Sequence, residues 1–149
     1  RPLELFGAPD MDAQEVLAYM QKTAPQWLNG CILRPCWFEP TFHKHQGQLC
    51  QGIQIHVDHP AYDHEAFRPW RLMALAFKAI RAIHPDYPLW RDFGYEYEFD
   101  RLAIDLINGS PLLREWVDDA TTTPADLEHL ASVDEARWLK DTEEFKLYR

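Results

Sequence analysis

The chain has 149 residues, of which 46% are hydrophobic and 26% charged, and its formal net charge is -9. This length suits one domain with a sizeable core, and this composition argues against a disordered chain. The acidic balance, without any cluster of lysine and arginine, argues against binding to nucleic acid or to an anionic membrane. No apolar run approaches the roughly 20 residues that cross a bilayer, and the N-terminus lacks the layout of a signal peptide.

The N-terminal part of the chain predicts two strands and one helix. Residues 3–6 form a short apolar run before a turn, which indicates a first strand. A capping box that starts at Asp12 begins an amphipathic helix, and Pro25 ends it. Residues 31–38 predict a second strand. This strand belongs at a sheet edge or a bulge, because Pro35 cannot donate a hydrogen bond to the ladder.

Residues 49–57 alternate between apolar and polar side chains, as a half-buried strand does. The predicted faces carry Ile53, Ile55 and Val57 on one side and Gly52, Gln54 and His56 on the other. Residues 40–48 then form a long loop between two strands, and loops of that length in compact domains are often functional.

The longest predicted helix occupies the middle of the chain. Pro69 suits its first position, and Pro85 ends it after His84. Apolar side chains recur along one side of this helix and should face the core. We expect the charged side chains to face away from the core, and these are Arg71, Lys78 and Arg81.

The C-terminal third is predicted to be helical. Residues 95–99 alternate aromatic and acidic side chains, which allows one more short strand, and a short helix closed by Gly109 follows. Three capped helices are then expected to start at Ser110, Thr123 and Ser132. The last helix should turn Trp138, Leu139, Thr142 and Phe145 toward the body. The predicted fold class is therefore α+β: a small, mostly antiparallel sheet packed against helices, with a helical C-terminal third.

Histidines offer the first candidate for chemistry, since imidazoles two residues apart can share one side of an extended chain. The candidates are His43, His45, His56, His59 and His64, with Cys50 among them. Their spacing matches no established zinc motif. Solvated histidines are the simpler interpretation, so we expect no metal and no cofactor.

Nucleophilic and carboxylate chemistry are the next candidates. Cys36 or Cys50 could pair with His56 as thiolate and imidazole, but both cysteines fall in predicted strands where small core residues are expected. Ordinary glycoside hydrolysis needs two carboxylates. Glu39 is the sole acid in residues 34–57. We therefore assign no catalytic residue.

The remaining candidate is a polar wall, that is, a row of polar side chains along one edge formed by residues 34–57. Its fixed hydrogen-bond donors could bind a carboxylate or sugar hydroxyls. A plain solvent-facing surface is the alternative. The candidate binding or cleft-lining residues are Arg34, Glu39, Thr41, Lys44, Gln54 and His56. Aromatic residues between positions 90 and 99 would suit sugar stacking, although core packing is the simpler explanation for them.

Several separated motifs resemble one bacterial family. F-E-P-T-F at residues 38–42, the lysine at Lys44 and G-Q-L-C-Q-G-I-Q-I-H-V at residues 47–57 are similar to the C-terminal domain of NamZ-type exo-β-N-acetylmuramidases. L-E-L-F-G-A-P near the start, A-F-R-P before the main helix and F-D-R-L at residues 99–102 extend the resemblance over nearly the whole chain.

The resemblance implies an enzyme that removes N-acetylmuramic acid from the non-reducing end of peptidoglycan fragments. Its N-terminal Rossmann-like domain is expected to hold the catalytic carboxylate, with the substrate cleft between the two domains. Residues 1–149 would be the single C-terminal accessory domain, and the start at Arg1 suits such a fragment, which we expect to be inactive alone. The expected partners are that catalytic domain and peptidoglycan fragments, in an extracytoplasmic, periplasmic or secreted, bacterial location. The alternative is an independent glycan- or protein-binding module.

Overall fold

The computed structural model describes residues 3–148, and the α+β prediction is confirmed within them. The strands are β1 (Leu5–Ala8), β2 (Ile32–Phe38) and β3 (Cys50–His56). The helices are α1 (Ala13–Thr23), α2 (Pro69–Ile83), α3 (Ala103–Asn108), α4 (Leu112–Asp118) and α5 (Pro124–Thr142). No helix within this range is both long and apolar enough to span a membrane.

The three strands form one antiparallel sheet in the order β1-β3-β2. The predicted pair of strands on either side of the long loop is confirmed, and Pro35 lies on the edge strand β2, as expected. β1 starts later than predicted and continues through Gly7 to Ala8, beyond the expected end at residue 6. The reason is a close approach of backbones: Gly7 lies opposite Gly52, and a Cβ at either residue would collide with a neighbouring strand's carbonyl oxygen.

Helices α1 and α2 supply the core that covers one face of the sheet. Asp12 caps α1 by accepting hydrogen bonds from the backbone N–H groups of Gln14 and Glu15 at 2.9 and 3.0 Å. Ile53 on β3 is fully buried, in agreement with the predicted strand alternation. The largest fully buried side chains of the core include Val16, Met20, Ile53, Leu72, Leu75, Val117 and Leu127.

The charged residues of α2 contradict the predicted orientation of that helix. Arg71 and Lys78 are 8% and 6% exposed, because α4 and α5 cover a second side of α2. Arg71 pairs there with acidic side chains of α5, while Lys78 donates to carbonyl groups at the end of α4. Burial of these charges is tolerated because each one finds partners.

Two predictions in the C-terminal third are wrong. Residues 95–99 form a tight turn, with Glu96 and Tyr97 at positive φ and hydrogen bonds of 3.0 Å in both directions between the backbones of Tyr95 and Glu98. The helix expected to begin at Ser132 is instead the second half of α5. The Ser132 hydroxyl donates to the His129 carbonyl one turn back, so it does not cap a new helix.

The end of α5 also fails to pack as expected. Its capping box is present, with Thr123 and Asp126 bonded reciprocally, and its first half packs on the body through Leu127. Trp138 and Phe145 continue, at helical spacing, the apolar stripe that includes Leu127. Their side chains are nevertheless 68% and 73% exposed, and Leu139 is exposed as well. The prediction that Trp138, Leu139 and Phe145 face the body is therefore wrong, because the helix runs past the part of the body that residues 3–148 provide.

Candidate functional site

The β2–β3 loop is compact, although it carries no regular secondary structure. Its two ends are joined by a hydrogen bond from the backbone N–H of Gly47 to the carbonyl of Pro40 at 3.0 Å. His43 and His45 both adopt the left-handed region, each with φ of 63°. Non-glycine residues occupy this region at an energetic cost, often near functional sites. The fold therefore holds this loop in a defined shape.

Part of the predicted polar wall forms on the open face of the sheet. Arg34 and Gln54 are direct cross-strand partners, and Arg34 Nη2 donates to Gln54 Oε1 at 2.8 Å. His56 follows on the same side of β3, and its Nδ1 lies 3.5 Å from Asp58 Oδ1. The structure therefore brings three of the six candidate residues together.

The other three candidates lie on the loop. Glu39, Thr41 and Lys44 are exposed, and within residues 3–148 their side chains make no hydrogen bond or ion pair. Lys44 differs from the other two because it lines a groove, whereas Glu39 and Thr41 do not. The six predicted residues thus separate into a sheet face and a loop, rather than forming one wall.

A groove of about 340 Å³ opens between β1, the β2–β3 loop and the C-terminal end of α2. We call it the β1 groove. Its apolar lining includes Phe6, Met11, Phe77, Ile80 and Leu89, and its polar side chains are Lys44, His45, His84 and Tyr87. Its volume falls within the usual range of small-molecule sites, which combine an apolar lining with a few polar groups. No acidic residue is among the described residues that line it.

Two polar groups at the end of α2 have unusual surroundings. His84 Nε2 is buried and has no hydrogen-bond partner among the described residues. Leaving such an atom unpaired costs about 1–3 kcal/mol, so a hydrogen bond from a water or a ligand would be favourable there. Burial first, and then the nearby Asp10 carboxylate, raise the pKa of Tyr87, which keeps its phenol protonated.

The cysteine and metal hypotheses receive no support from the geometry. Cys50 is fully buried at the start of β3, and desolvation raises the pKa of its thiol, which disfavours a reactive thiolate. Cys31, Cys36 and Cys50 are all free thiols. Within residues 3–148, no group of three or more His, Cys, Asp or Glu side chains is placed to hold a metal ion.

A second depression, of about 720 Å³, lies between α2, the start of α5 and the turn that follows α1. Its charged residues include Arg71 and Glu128, which already pair with each other. It is more open than the β1 groove, and its strongest polar groups are committed to holding helices together. We therefore take the β1 groove and the neighbouring sheet face as the candidate site.

Sequence reasoning missed part of the groove. His84 was assigned only to the end of the main helix, and Tyr87 was given no role. Both lie far along the chain from Lys44, so no local pattern connects them. One available signal was Pro85, which directly follows His84 and restricts its backbone, so that His84 marks the end of α2.

The fold and groove define a small α+β domain with a ligand-sized recess beside an edge strand, and the described lining of this recess includes no acidic side chain. Residues 1–148 match the family model described as "Exo-beta-N-acetylmuramidase NamZ, C-terminal". The chain belongs to this family of NamZ C-terminal domains.

Two relatives that the chain matches are longer proteins. It is 31% identical over 122 residues to the peptidoglycan beta-N-acetylmuramidase NamZ of Bacillus subtilis (strain 168), a match that covers 82% of this chain and 26% of the relative. The chain thus spans about a quarter of that relative's length. The crystal structure of a DUF1343 family protein from Bacteroides fragilis NCTC 9343 is similar in fold, with a TM-score of 0.66 and 20% identity over 99% of this chain and 36% of that one.

Proposed function

We propose that this chain is the non-catalytic domain of a bacterial peptidoglycan β-N-acetylmuramidase, and that it completes the substrate cleft beside a separate catalytic domain. Family membership and the similarity to a NamZ enzyme support the enzyme class. The expected catalytic partner is the Rossmann-like N-terminal domain of such an enzyme. A periplasmic or secreted location follows from the same proposal, because peptidoglycan lies outside the cytoplasm.

The absence of acids from the groove is the observation that carries the non-catalytic role. Glycoside hydrolases of the ordinary type place two carboxyl groups about 5–10 Å apart across the bond that they cleave. The described lining of the β1 groove contains none. Asp10, which hydrogen-bonds to the lining residue Tyr87, and Glu39 on the loop are both exposed. A carboxylate in water also lacks the burial that would hold it protonated as a general acid.

Binding is the role for which these residues are suited. Arg34 and Gln54 present fixed hydrogen-bonding groups on the open face, with His56 beside them. Lys44 adds an ammonium at the groove that has no ion-pair partner among the described residues. Sugar recognition relies on such oriented polar groups next to apolar surface.

Activity measurements test this proposal directly. The purified 149-residue chain is expected to give no turnover of a chromogenic β-glycoside of N-acetylmuramic acid. In the full-length enzyme, Arg34→Ala is expected to raise KM more than it lowers kcat, since it removes a binding contact and no reacting group. Lys140→Ala on the exposed side of α5 is the matched control. Turnover by the chain alone would refute the non-catalytic role.

An independent binding module is the second candidate, favoured by exposed aromatic rings. Tyr97 and Phe99 are almost fully exposed at the turn of residues 95–99. Trp90 does not belong to this surface, because its Nε1 donates to Asp118 and its ring packs on Phe77. This candidate predicts heat on calorimetric titration of the isolated chain with muropeptides, and loss of that heat in Tyr97→Ala.

A further inference from the structure

We propose that the β1 groove is the subsite for the lactyl carboxylate of N-acetylmuramic acid, with Lys44 as its cationic partner and His45 beside it. This inference rests on the proposed function, which supplies the substrate class. It goes further by assigning the acid group of the sugar to particular residues. It also separates this role from the sheet face that carries Arg34 and Gln54.

The charge of the groove is the first argument. The chain carries 24 acidic residues against 15 lysines and arginines, so most of its surface repels an anion. The described groove lining departs from this balance, with one lysine and two histidines and no acid, and the neighbouring Asp10 carboxylate is hydrogen-bonded to Tyr87 rather than paired with Lys44. Lys44 has no ion-pair partner within residues 3–148, and its ammonium is therefore available to an incoming carboxylate.

The shape of the groove is the second argument. N-acetylmuramic acid combines a carboxylate with two methyl groups, one on the lactyl ether and one on the acetamido group. Lys44 and His45 come from the loop, whereas Phe6, Phe77 and Leu89 provide apolar surface. The lactyl carboxylate would face Lys44 while the two methyl groups contact the apolar side, and the volume of about 340 Å³ suits a single sugar unit.

The unpaired nitrogen of His84 is the third argument. His84 lines the same groove, and its buried Nε2 has no partner among the described residues. Buried polar atoms without partners are rare in native proteins and often mark the place of a ligand or an ordered water. A polar substituent of the sugar, directly or through a water, would give this atom the hydrogen bond that it lacks.

The sheet face is less suited to the carboxylate. Arg34 already donates to Gln54, and both side chains lie on a pleated surface rather than in a recess. We therefore expect that face to contact sugar hydroxyls, while the groove holds the acid.

The experiment compares two sugars that differ only in the lactyl ether. The 149-residue chain, labelled with 15N, is titrated with N-acetylmuramic acid and with N-acetylglucosamine while amide shifts are followed. We expect saturable shifts at Gly7, Lys44 and His45 with the muramic sugar, and at least about tenfold weaker binding of the glucosamine sugar, as for loss of one charge-assisted hydrogen bond.

A matched pair of variants tests the role of the ammonium. Lys44→Gln is expected to lower the affinity for N-acetylmuramic acid about tenfold and to leave that for N-acetylglucosamine unchanged. Lys140→Gln, on exposed α5, should change neither. Circular dichroism checks that both variants keep the fold, which is expected since both side chains are exposed.

Three results would overturn the assignment: equal affinity for the two sugars, shifts that map to Arg34 and Gln54 instead of the groove, or no saturable shift with either sugar. None of these results bears on the non-catalytic role, which is tested by measuring turnover by the chain alone. Conversely, the chain could turn over substrate and still bind N-acetylmuramic acid more tightly than N-acetylglucosamine. That result would refute the non-catalytic role and support the carboxylate subsite.

Discussion

The guanidinium of Arg71 on α2 holds the carboxylate of Glu128 on α5 in a bidentate pair, with Nε to Oε2 at 2.7 Å and Nη2 to Oε1 at 2.9 Å. Its remaining nitrogen, Nη1, donates to Glu135 Oε1 at 2.8 Å, two turns further along α5. One buried arginine therefore fixes two points of α5 on the body. The arrangement explains why α5 is attached to the body as far as Glu135, while the exposed residues near its end are not.

Acid is expected to weaken this attachment. Hydrogen bonding to Arg71, opposed in part by burial, lowers the pKa of Glu128 below its ordinary value of 4.5. A carboxyl group whose pKa is lower in the folded state stabilises the fold fully above its unfolded pKa, and this stabilisation disappears as the pH falls through the folded pKa. Glu128→Gln should therefore be destabilising at pH 7 and lose that effect at low pH. Urea unfolding of both proteins at several pH values measures it, and Glu144→Gln is the exposed control.

The two halves of α5 should respond differently to truncation. Leu127 is 1% exposed, so Leu127→Ala is expected to cost about 2–5 kcal/mol of unfolding free energy. Trp138→Ala removes a larger side chain from the same stripe but should change stability by no more than about 0.5 kcal/mol, because that side chain is exposed. Denaturant titration of the chain compares them. A large loss in Trp138→Ala would mean that the end of α5 packs on the body in solution.

Lys78 is expected to stabilise the junction between α4 and α5 despite its burial. Desolvation lowers its pKa, but its Nζ donates to the carbonyls of Trp116 and Asp119 at 2.7 and 2.6 Å and to Thr122 Oγ1 at 2.8 Å. Lys78→Met keeps most of the volume and leaves these acceptors unpaired, which should cost about 1–3 kcal/mol. Thermal or urea unfolding measures the loss. A variant as stable as the parent would indicate that water satisfies those carbonyls.

Two glycines allow a graded test of the sheet. Gly52→Ala would push a methyl group against the Phe6 carbonyl and the ring of Phe38, so a loss of about 3 kcal/mol is expected. Gly47→Ala meets open space but must keep a φ of 71°, which costs about 1–2 kcal/mol. Equal losses in urea unfolding would contradict the tight contact between β1 and β3.

Local patterns predicted much of this architecture. The bounds of α1 and α2, the antiparallel pair that flanks the loop and the buried face of β3 all follow from caps, prolines and hydrophobic periodicity. These signals act over a few residues, so they can be read directly. The orientation of Arg71 and Lys78 could not be predicted, because a charged side chain looks the same in sequence whether it meets water or a distant partner.

The sequence by itself determined the family, the α+β class and the polar loop at residues 34–57, since these depend on motifs and short-range periodicity. Only the tertiary structure decided which polar residues share a site. It separated Arg34, Gln54 and His56 from the loop, and it placed Lys44 with His45, His84 and Tyr87 around one groove. The physical reason is that the packing of α2 beside β1 joins segments distant in the chain, and no local spacing encodes that contact.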